Sequence, residues 1–447
     1  MGKSIKLNRG LDLRLEGGLD GSEKPIAIPS SSVAIYPDDF PGFTPKLSVR
    51  EGDLVKPGTP LMFDKVNEQI KLVSPAGGKV KAVVRGERRK IIRVEVETEN
   101  GAPSATVTAP GKSADEIATW LQNNGFWAMM RQRPYDIVPT PGVTPVNIFV
   151  TAFDSAPLAL SLAQTTGGAA TEIAKGLELL KTLTSGEIYV STRRNDNIEL
   201  PSFVHNIIIE GPHPAGNPGV QIANIAPVNK GETVWTLDIV TVMRIGRLAL
   251  TGVADWSTTV AIVGSEVKEP RLVTTQAGAA IAPLIAGATE GNERHLRIIA
   301  GNVLTGVNAG ENGFLHFPYR QVTVIPEGDD VDEFMGWASM SPKKMSVSRS
   351  FISSLLPGKK FAPDARLNGG RRAMIMSEQY DKVMPMDILP EYLIKAVLAR
   401  DIDQMERLGI YEVAPEDFAL CEYVDPSKLE LQKIVREGLD YLRKELE

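Results

Sequence analysis

Cysteine is almost absent from this 447-residue chain, which contains only Cys421. A single thiol excludes an internal disulfide, a CxxC redox pair, a cysteine-rich zinc site and a four-cysteine iron–sulfur cluster. Histidine is also scarce, and its four residues show none of the spacings HxxH, HxH or HExxH that favour a metal site built within one segment. These histidines are His205, His213, His295 and His316.

Long apolar runs are missing as well. The longest uncharged stretch, residues 272–289, contains glutamine, proline and several threonines, so it is too polar to span a bilayer. The first residues lack the apolar core of a signal peptide. The net charge of -6 argues against nucleic acid as a ligand, because phosphate binding needs a basic surface. We therefore expect a soluble cytoplasmic protein that would work at a membrane only as a peripheral part.

The composition that is present is ordinary for a globular protein. Hydrophobic residues make up 43% of the chain and charged residues 23%, which excludes extended disorder. At about 150 residues per domain, a chain of this length corresponds to about three domains. A single small module is therefore excluded.

Residues 26–96 consist of short β-branched runs broken by glycine and proline, which predicts a β domain. The pattern VxEGDxVxxGxPL at 49–61, followed by SPxxGxV at 74–80, resembles the barrel-sandwich hybrid of biotinyl and lipoyl domains. Lys65 could then carry a lipoyl group. The acidic residues that flank lipoyl lysines and the methionines that flank biotinyl lysines are both missing, so we favour a scaffold domain over a carrier.

The next part of the chain alternates predicted strands and helices. Ser113 and Glu116 form a capping box that starts a helix. Buried-type strands and two long amphipathic helices follow, a pattern typical of a Rossmann-like parallel sheet. Short strands then return around one short helix predicted over 278–285, which fits a β-grasp module. The predicted strands lie at 146–150, 187–191 and 206–209, and the long helices at 169–183 and 238–250.

Three stretches carry a resemblance to a known family: EGPHPAGNPG at 210–219, GNVLTG at 301–306, and VMPMDILP at 383–390, which follows Arg372 and Ala373. They resemble the A subunit of the bacterial sodium-translocating NADH:quinone oxidoreductase, Na+-NQR, and the resemblance covers essentially the whole chain. The same architecture is similar to the C subunit of the Rnf electron-transport complex. It is more distantly similar to the FMN- and NADH-binding subunit of respiratory complex I.

The resemblance implies a multidomain α/β fold, and its domain order agrees with the predicted elements. The helical part at the C-terminus would follow a connector rich in basic residues. The implied divisions are a barrel-sandwich β domain at 1–104, a Rossmann-like α/β domain at 105–256, an SLBB-like β-grasp domain at 257–330, a basic connector at 331–376 and a helical domain at 377–447.

The resemblance also implies a function. The chain would be a peripheral subunit on the cytoplasmic side of the inner membrane, in a complex that couples electron transfer from NADH to quinone with sodium export. Other subunits, chiefly a membrane-embedded one, would be its partners and would hold FMN, FAD, riboflavin and iron–sulfur centres. The chain would contribute to the quinone site or would be a cofactor-free structural subunit, and a Rnf-type accessory subunit is a further alternative. We expect no catalytic residue and no metal site in the isolated chain.

The flavin-binding loop of the complex I relative has no counterpart here. That loop has the form GxGGAGFP, whose glycines let backbone N–H groups approach a phosphate. The matching segment, 125–134, is GFWAMMRQRP, and its bulky side chains exclude that mode of flavin binding. Its arginines favour a salt-bridged loop over an anion site. Cys421 lies in the region where the relatives carry cluster motifs, and we expect it to be a buried small apolar residue.

One candidate site is the proline- and glycine-rich loop 211–219, which follows a predicted parallel strand. Ligands bind at the carboxyl ends of such strands in open α/β sheets. His213 and backbone N–H groups near Gly216 could donate to quinone carbonyls, while the prolines stiffen a flat slot. Alternatively, the loop only covers the sheet edge. The candidate quinone residues are Gly211, Pro212, His213, Pro214, Gly216 and Gly219.

The strongest charge signal is the basic segment 341–372, whose eight basic residues and one acidic residue give it a net charge of +7. Apolar side chains are interleaved with the basic ones. This favours docking on a membrane-embedded partner and the anionic lipid around it over a solvated connector. Further along, Asp425-Pro426 is predicted to start the C-terminal helix. The docking candidates are Lys343, Lys344, Arg349, Lys359 and Lys360.

Overall fold

The computed structural model describes residues 3–99, 104–289, 295–329, 344–345, 347, 355–356 and 358–446. The strands are β1 (Lys3–Lys6), β2 (Ile26–Ala27), β3 (Ser32–Ile35), β4 (Pro45–Leu47), β5 (Leu54–Val55), β6 (Pro60–Asp64), β7 (Lys71–Val73), β8 (Gly78–Arg85), β9 (Ile91–Thr98), β10 (Arg131–Arg133), β11 (Asn147–Thr151), β12 (Ile188–Thr192), β13 (Val204–Glu210), β14 (Val234–Asp238), β15 (Ser257–Val263), β16 (Arg271–Gln276), β17 (Leu296–Ala300), β18 (Val307–Asn308) and β19 (Gln321–Pro326). The α-helices are α1 (Ala114–Asn123), α2 (Leu162–Thr166), α3 (Ala170–Lys181), α4 (Pro218–Ile225), α5 (Ile239–Thr251), α6 (Ala282–Ile285), α7 (Tyr380–Val383), α8 (Pro390–Ala399), α9 (Ile402–Arg407), α10 (Ala419–Val424) and α11 (Leu431–Leu446).

The barrel-sandwich domain consists of two small sheets, in the orders β3-β9-β8-β5 and β4-β6-β7. Apolar side chains of these strands are buried in a shared core. Lys65 is exposed just after β6. The buried Asp64 carboxylate shapes the turn there, because it accepts hydrogen bonds from the backbone N–H groups of Thr44 and Asn67.

The α/β domain is built on a six-stranded sheet in the order β1-β13-β12-β11-β14-β10. Strands β11 to β14 are parallel and follow the order 3-2-1-4 of a Rossmann-like sheet. The strand β1 extends one edge in parallel, and β10 closes the other edge in antiparallel orientation. The predicted capping box of Ser113 and Glu116 is present at α1, and the predicted strands and long helices are confirmed to within two residues.

A second six-stranded sheet, in the order β18-β17-β19-β15-β16-β2, is built mainly from the region predicted to be a β-grasp domain, and we keep that name for the region. The helix predicted over 278–285 is wrong in its first half, because only α6 is helical. Gly278 has a positive φ of 72°, and Ala279 forms a bridge to Val33 in β3. The first half of this segment therefore joins the β-grasp domain to the barrel-sandwich domain.

The C-terminal helices α7 to α11 share a hydrophobic core with residues of the α/β domain. The prediction that the last helix starts at Asp425-Pro426 is wrong, because α11 begins at Leu431. The buried Asp425 carboxylate accepts hydrogen bonds from the N–H groups of Ser427 and Leu429, and these bonds close a non-helical turn. No helix in the described part of the chain is both long and apolar enough to cross a membrane.

The end of the basic segment 341–372 runs beside residues near the N-terminus. The Phe361 N–H donates to the Arg14 carbonyl at 2.8 Å, so the two segments pair through their backbones. The Lys359 ammonium lies over the Phe361 ring, 5.6 Å from its centroid. Among the docking candidates, Lys343 and Arg349 lie outside the described residues, whereas Lys344, Lys359 and Lys360 lie within them.

Candidate functional site

The loop 211–219 lies at the carboxyl end of β13, and its histidine is buried. His213 is 3% exposed, and its Nδ1 lies 3.0 Å from the Ser155 Oγ. The same Oγ accepts a 2.7 Å hydrogen bond from the Gly216 N–H, so Ser155 connects the ring to the backbone of the loop. Burial lowers the pKa of His213 to about 4, so the ring is neutral near pH 7. Its Nε2 has no hydrogen-bond partner among the described residues.

The C-terminal domain covers part of this loop. Gly219, in the first turn of α4, faces the Asp417 carboxylate so closely that a Cβ would lie within 3.0 Å of it. The side-chain amide of Asn217 donates to the Glu416 carbonyl at 3.1 Å. Of the other candidates, Gly211 and Pro212 are partly exposed, and Pro214 and Gly216 are buried.

An ion cluster centred on the buried Arg133 and Asp417 lies beside the loop; it also includes the partly exposed Asp136 and Glu416, and we call it the acid clasp. The Arg133 side chain is 1% exposed, and each of its three nitrogens lies 3.3 to 3.6 Å from a different carboxylate. Burial and the neighbouring Asp417 raise the pKa of Glu416 to about 8, and burial also raises the pKa of Asp417. The segment 125–134 is therefore salt-bridged, as predicted from its arginines, and it joins the α/β domain to the C-terminal domain.

A cavity opens where the barrel-sandwich, α/β and β-grasp domains meet, and we call it the junction pocket. About 60 Å³ of it is accessible to the centre of a water molecule. Aromatic side chains form much of its wall, and this lining suits a planar, mainly apolar small molecule. The aromatic residues are Tyr36, Phe40, Trp256, Phe317 and Tyr319, with His316 beside them.

Two pairs of stacked aromatic rings form part of this wall. The Tyr36 and His316 rings stack with their centroids 3.9 Å apart, and the Phe40 and Phe317 rings with theirs 5.2 Å apart. The Arg131 guanidinium lies 5.9 and 5.6 Å from the centroids of the two phenyl rings. Offset stacking on such faces is the preferred contact for another flat ring.

Two donors in the pocket lining lack acceptors. Arg244 Nε and Trp256 Nε1 are buried, and neither has a hydrogen-bond partner within the described structure. Arg244 is held by a 2.8 Å bond from Nη2 to the Ser257 carbonyl. Burial lowers the pKa of Arg244 to about 10, so its side chain is still charged near pH 7. Buried donors are rarely left unpaired, and an acceptor is the kind of group that each of them lacks.

The pocket lining also contains a histidine–carboxylate pair. Asp39 Oδ1 lies 2.7 Å from His316 Nδ1, and Asp39 Oδ2 accepts a 3.0 Å bond from the Phe317 N–H. Burial raises the pKa of Asp39, although its contacts with His316 lower it in part. Asp39 belongs to the barrel-sandwich domain and His316 to the β-grasp domain, so the pair connects two domains.

Sequence reasoning missed the junction pocket because its residues are far apart in the chain. Asp39 and His316 follow no common motif, and no spacing rule connects them. A local signal was available in residues 314–319, FLHFPY, which place three aromatic residues and a histidine together in a chain with 6% aromatic residues.

The other groups with metal or thiol chemistry form no such site. Within the described ranges, no three His, Cys, Asp or Glu side chains are grouped to hold a metal ion. His205 pairs with Glu187 at 3.2 Å. Cys421 is free and buried, as its sequence context predicted.

Family models match three parts of the chain. Residues 5–99 match the NqrA N-terminal barrel-sandwich hybrid domain, residues 112–254 the NqrA second alpha/beta domain, and residues 259–311 the NQRA C-terminal domain. A solved structure of an NAD+-reducing [NiFe]-hydrogenase in the H2-reduced state covers 68% of this chain and 55% of its own, with 11% identity and a TM-score of 0.34. That score is too low to assign a fold.

Curated relatives match the chain over nearly its full length. The A subunit of Na(+)-translocating NADH-quinone reductase from Hahella chejuensis is 37% identical, with 99% of this chain and 100% of the relative covered. The subunit of the same name from Alcanivorax borkumensis is 36% identical with the same coverage. The one from Vibrio anguillarum is also 36% identical, over 99% and 100%. The chain therefore belongs to the family formed by the A subunits of Na(+)-translocating NADH-quinone reductases.

Proposed function

We propose that this chain is the peripheral A subunit of a sodium-translocating NADH:quinone reductase, on the cytoplasmic side of the inner membrane, and that it binds a quinone headgroup in the junction pocket. Its full-length similarity to subunits of that name supports the first part. FMN, FAD, riboflavin and iron–sulfur centres belong to the partner subunits in this proposal, and the chain itself carries none of them.

The unpaired donors of the junction pocket support the second part. A quinone ring is flat and largely apolar, and it carries carbonyl oxygens that accept hydrogen bonds. Arg244 Nε and Trp256 Nε1 are donors without acceptors among the described residues, and both lie in an aromatic pocket. A carbonyl oxygen within reach of either donor would supply the acceptor that it lacks, at a gain of about 0.5–1.5 kcal/mol per bond.

The loop 211–219 is the second candidate for the quinone. Its His213 Nε2 is also a buried nitrogen without a partner in the described part of the chain. The junction pocket is favoured because its aromatic lining includes two residues with unpaired donors, whereas the loop offers one histidine, whose ring is fixed by Ser155. If the chain binds no quinone, it is the cofactor-free structural subunit.

Titration calorimetry of the full chain with a water-soluble benzoquinone tests the site. Replacing Trp256 by Phe keeps an aromatic wall and removes one donor, so the dissociation constant should rise about 2- to 13-fold. Trp235→Phe is the matched control, since Trp235 Nε1 is also buried and unpaired among the described residues but does not line the pocket. His213→Ala should leave the affinity unchanged.

The opposite result, with weaker binding in His213→Ala alone, would assign the quinone to the loop. Absence of binding in the wild-type chain would leave only the structural role. The absorption spectrum of the same preparation tests the cofactor-free part of the proposal. Flavins absorb at about 450 nm, so an absorption band in this region that remains after gel filtration would contradict the cofactor-free part.

A further inference from the structure

We propose that the buried guanidinium of Arg244 makes the junction pocket selective for a flat ring that carries a negatively charged oxygen. This inference rests on the proposed function and names the form of the ligand that the site holds best. A quinone that has taken up two electrons and one proton is such a ring anion. The pocket would therefore bind this reduced form more tightly than the neutral quinone.

Arg244 is a buried charge without a charged partner. The residue is 4% exposed, and its guanidinium makes one hydrogen bond among the described residues, from Nη2 to the Ser257 carbonyl. It forms no ion pair within the described ranges, and its Nε is buried without an acceptor. Buried charges in proteins are nearly always paired, because moving an isolated charge out of water is costly. An unpaired guanidinium in the lining of a pocket therefore favours a counter-charge that a ligand supplies.

The acids that could neutralise Arg244 are engaged by other arginines. Asp238 and Asp255 are the carboxylates that favour the charge on Arg244. Asp238 pairs with Arg320 at 2.6 Å, and Asp255 pairs with Arg247 at 2.5 Å. Burial and the charge of Arg320 lower the pKa of Arg244 to about 10, so the side chain is charged at pH 7 but destabilised. A negative charge beside it would offset both effects.

The acid clasp shows how a buried arginine is neutralised elsewhere in this chain. Arg133 has three carboxylates 3.3 to 3.6 Å from its nitrogens, whereas Arg244 has none within ion-pair distance in the described structure. The carboxylate in the pocket lining, Asp39, is itself held by His316 at 2.7 Å and by the Phe317 N–H at 3.0 Å. The titratable and charged groups of the lining are Tyr36, Asp39, Arg244, His316, Tyr319 and Arg320.

The aromatic wall favours a ring over a small inorganic anion. Flat faces of Tyr36, Phe40 and Phe317 line the pocket, and a phosphate ion would leave them without a contact. The charged guanidinium also binds a charged oxygen more strongly than a neutral carbonyl, since hydrogen bonds between two ions are the stronger ones. A ring anion satisfies both the wall and Arg244.

Spectrophotometric titration of 4-nitrophenol with the full chain tests this selectivity. This phenol ionises near neutral pH, and its phenol and phenolate forms absorb at different wavelengths, so the spectrum reports the charge of the bound ring. The pKa of the bound ligand should lie about one unit or more below that of the free ligand, which is a preference of about tenfold or more for the anion. Because the ligand itself is observed, the wild-type result does not depend on any variant.

Variants at Arg244 separate the effect of charge from that of shape. Arg244→Gln keeps hydrogen-bond donors and removes the charge, so the shift of the ligand pKa should disappear, while the affinity for the uncharged 4-nitroanisole should change much less. Arg244→Lys keeps a positive charge and should retain the shift. Arg50→Gln removes an exposed arginine of the barrel-sandwich domain and is the matched control, which should bind both ligands as the wild type does.

The outcomes distinguish this inference from the proposed function. A wild-type chain that binds benzoquinone and 4-nitrophenol without lowering the pKa of the phenol would overturn the inference and leave the proposed function intact. A full shift in Arg244→Gln would also overturn it, since another group would then hold the anion. Binding of the phenolate without binding of any quinone would support the anion site and overturn the quinone assignment. A chain that binds neither ligand would overturn both.

Discussion

At the scale of single residues, the acid clasp is unusual because one buried guanidinium faces three carboxylates. Asp136 is also paired with Arg436 at 3.9 Å, and Glu416 is the acid that holds a proton at neutral pH, because its pKa lies above 7. The pKa of Glu416 is raised from its usual 4.5 to about 8, chiefly by burial and then by Asp417. Between these two pH values the folded chain binds a proton that the unfolded chain has lost, so the stability contributed by this group decreases as the pH rises.

Replacing Glu416 by Gln should therefore flatten the dependence of stability on pH. The wild-type melting temperature should fall by about 2 °C or more between pH 6 and pH 9, and the fall should be smaller in Glu416→Gln. The effect is modest because the Glu416 side chain is 40% exposed and water screens its charge. The exposed Glu437 on α11 provides the control, and Glu437→Gln should melt with the wild-type pH dependence.

At the scale of elements, helices α3 and α5 approach each other at two glycines. A Cβ on Gly176 would lie within 3.0 Å of the Val242 carbonyl, and a Cβ on Gly246 within 3.0 Å of the Glu172 carbonyl. Both obstacles are backbone atoms, which cannot turn aside as a side chain can. The two helices therefore pack directly through their backbones along this contact.

Gly246→Ala should destabilise the fold, although alanine is the better helix former by about 1 kcal/mol. Forcing a methyl group against the facing helix should cost about 1–3 kcal/mol in chemical denaturation. Leu250→Ala on the exposed side of α5 is the control and should change the free energy of unfolding by about 0.5 kcal/mol or less. Equal free energies of unfolding for Gly246→Ala and the wild type would show that the two helices can move apart without a loss of stability.

Elements with local signals could be predicted from the sequence, and those shaped by distant contacts could not. The capping box at Ser113 and the apolar periodicity of α3 and α5 depend on neighbours within a few residues. The first half of 278–285 is not helical because it pairs with β3. Helix α11 starts later than predicted because the buried Asp425 closes a non-helical turn before it. The junction pocket is formed by residues of three domains, so the aromatic segment 314–319 is its one local signal in the sequence.

At the scale of the whole molecule, charge is distributed unevenly. The segment 341–372 carries +7 in a chain whose net charge is -6, so the remainder is strongly acidic. A basic segment in an otherwise acidic chain would orient the molecule towards an anionic membrane. The docking role of this segment remains a prediction.

Reversing the charge at Lys343, Lys344, Lys359 and Lys360 should release the chain from membranes that contain its partner subunits. We expect most of the reversed protein in the soluble fraction after centrifugation, with a melting temperature close to that of the wild type, since surface charges usually change stability by about 0.5 kcal/mol or less. Complete sedimentation with the membranes would mean that the segment is only a connector. The control reverses four exposed lysines elsewhere: Lys24, Lys56, Lys79 and Lys112.

The pairing of the first strands has a consequence for how the chain is made. Within the described ranges, strand β1 pairs only with β13, Leu15 bridges to Phe361, and β2 pairs only with β16. A nascent chain leaving the ribosome therefore exposes these segments long before their partners have been translated. The barrel-sandwich strands, in contrast, pair among themselves and can fold early. The residues synthesised first are thus among the last to reach their final places.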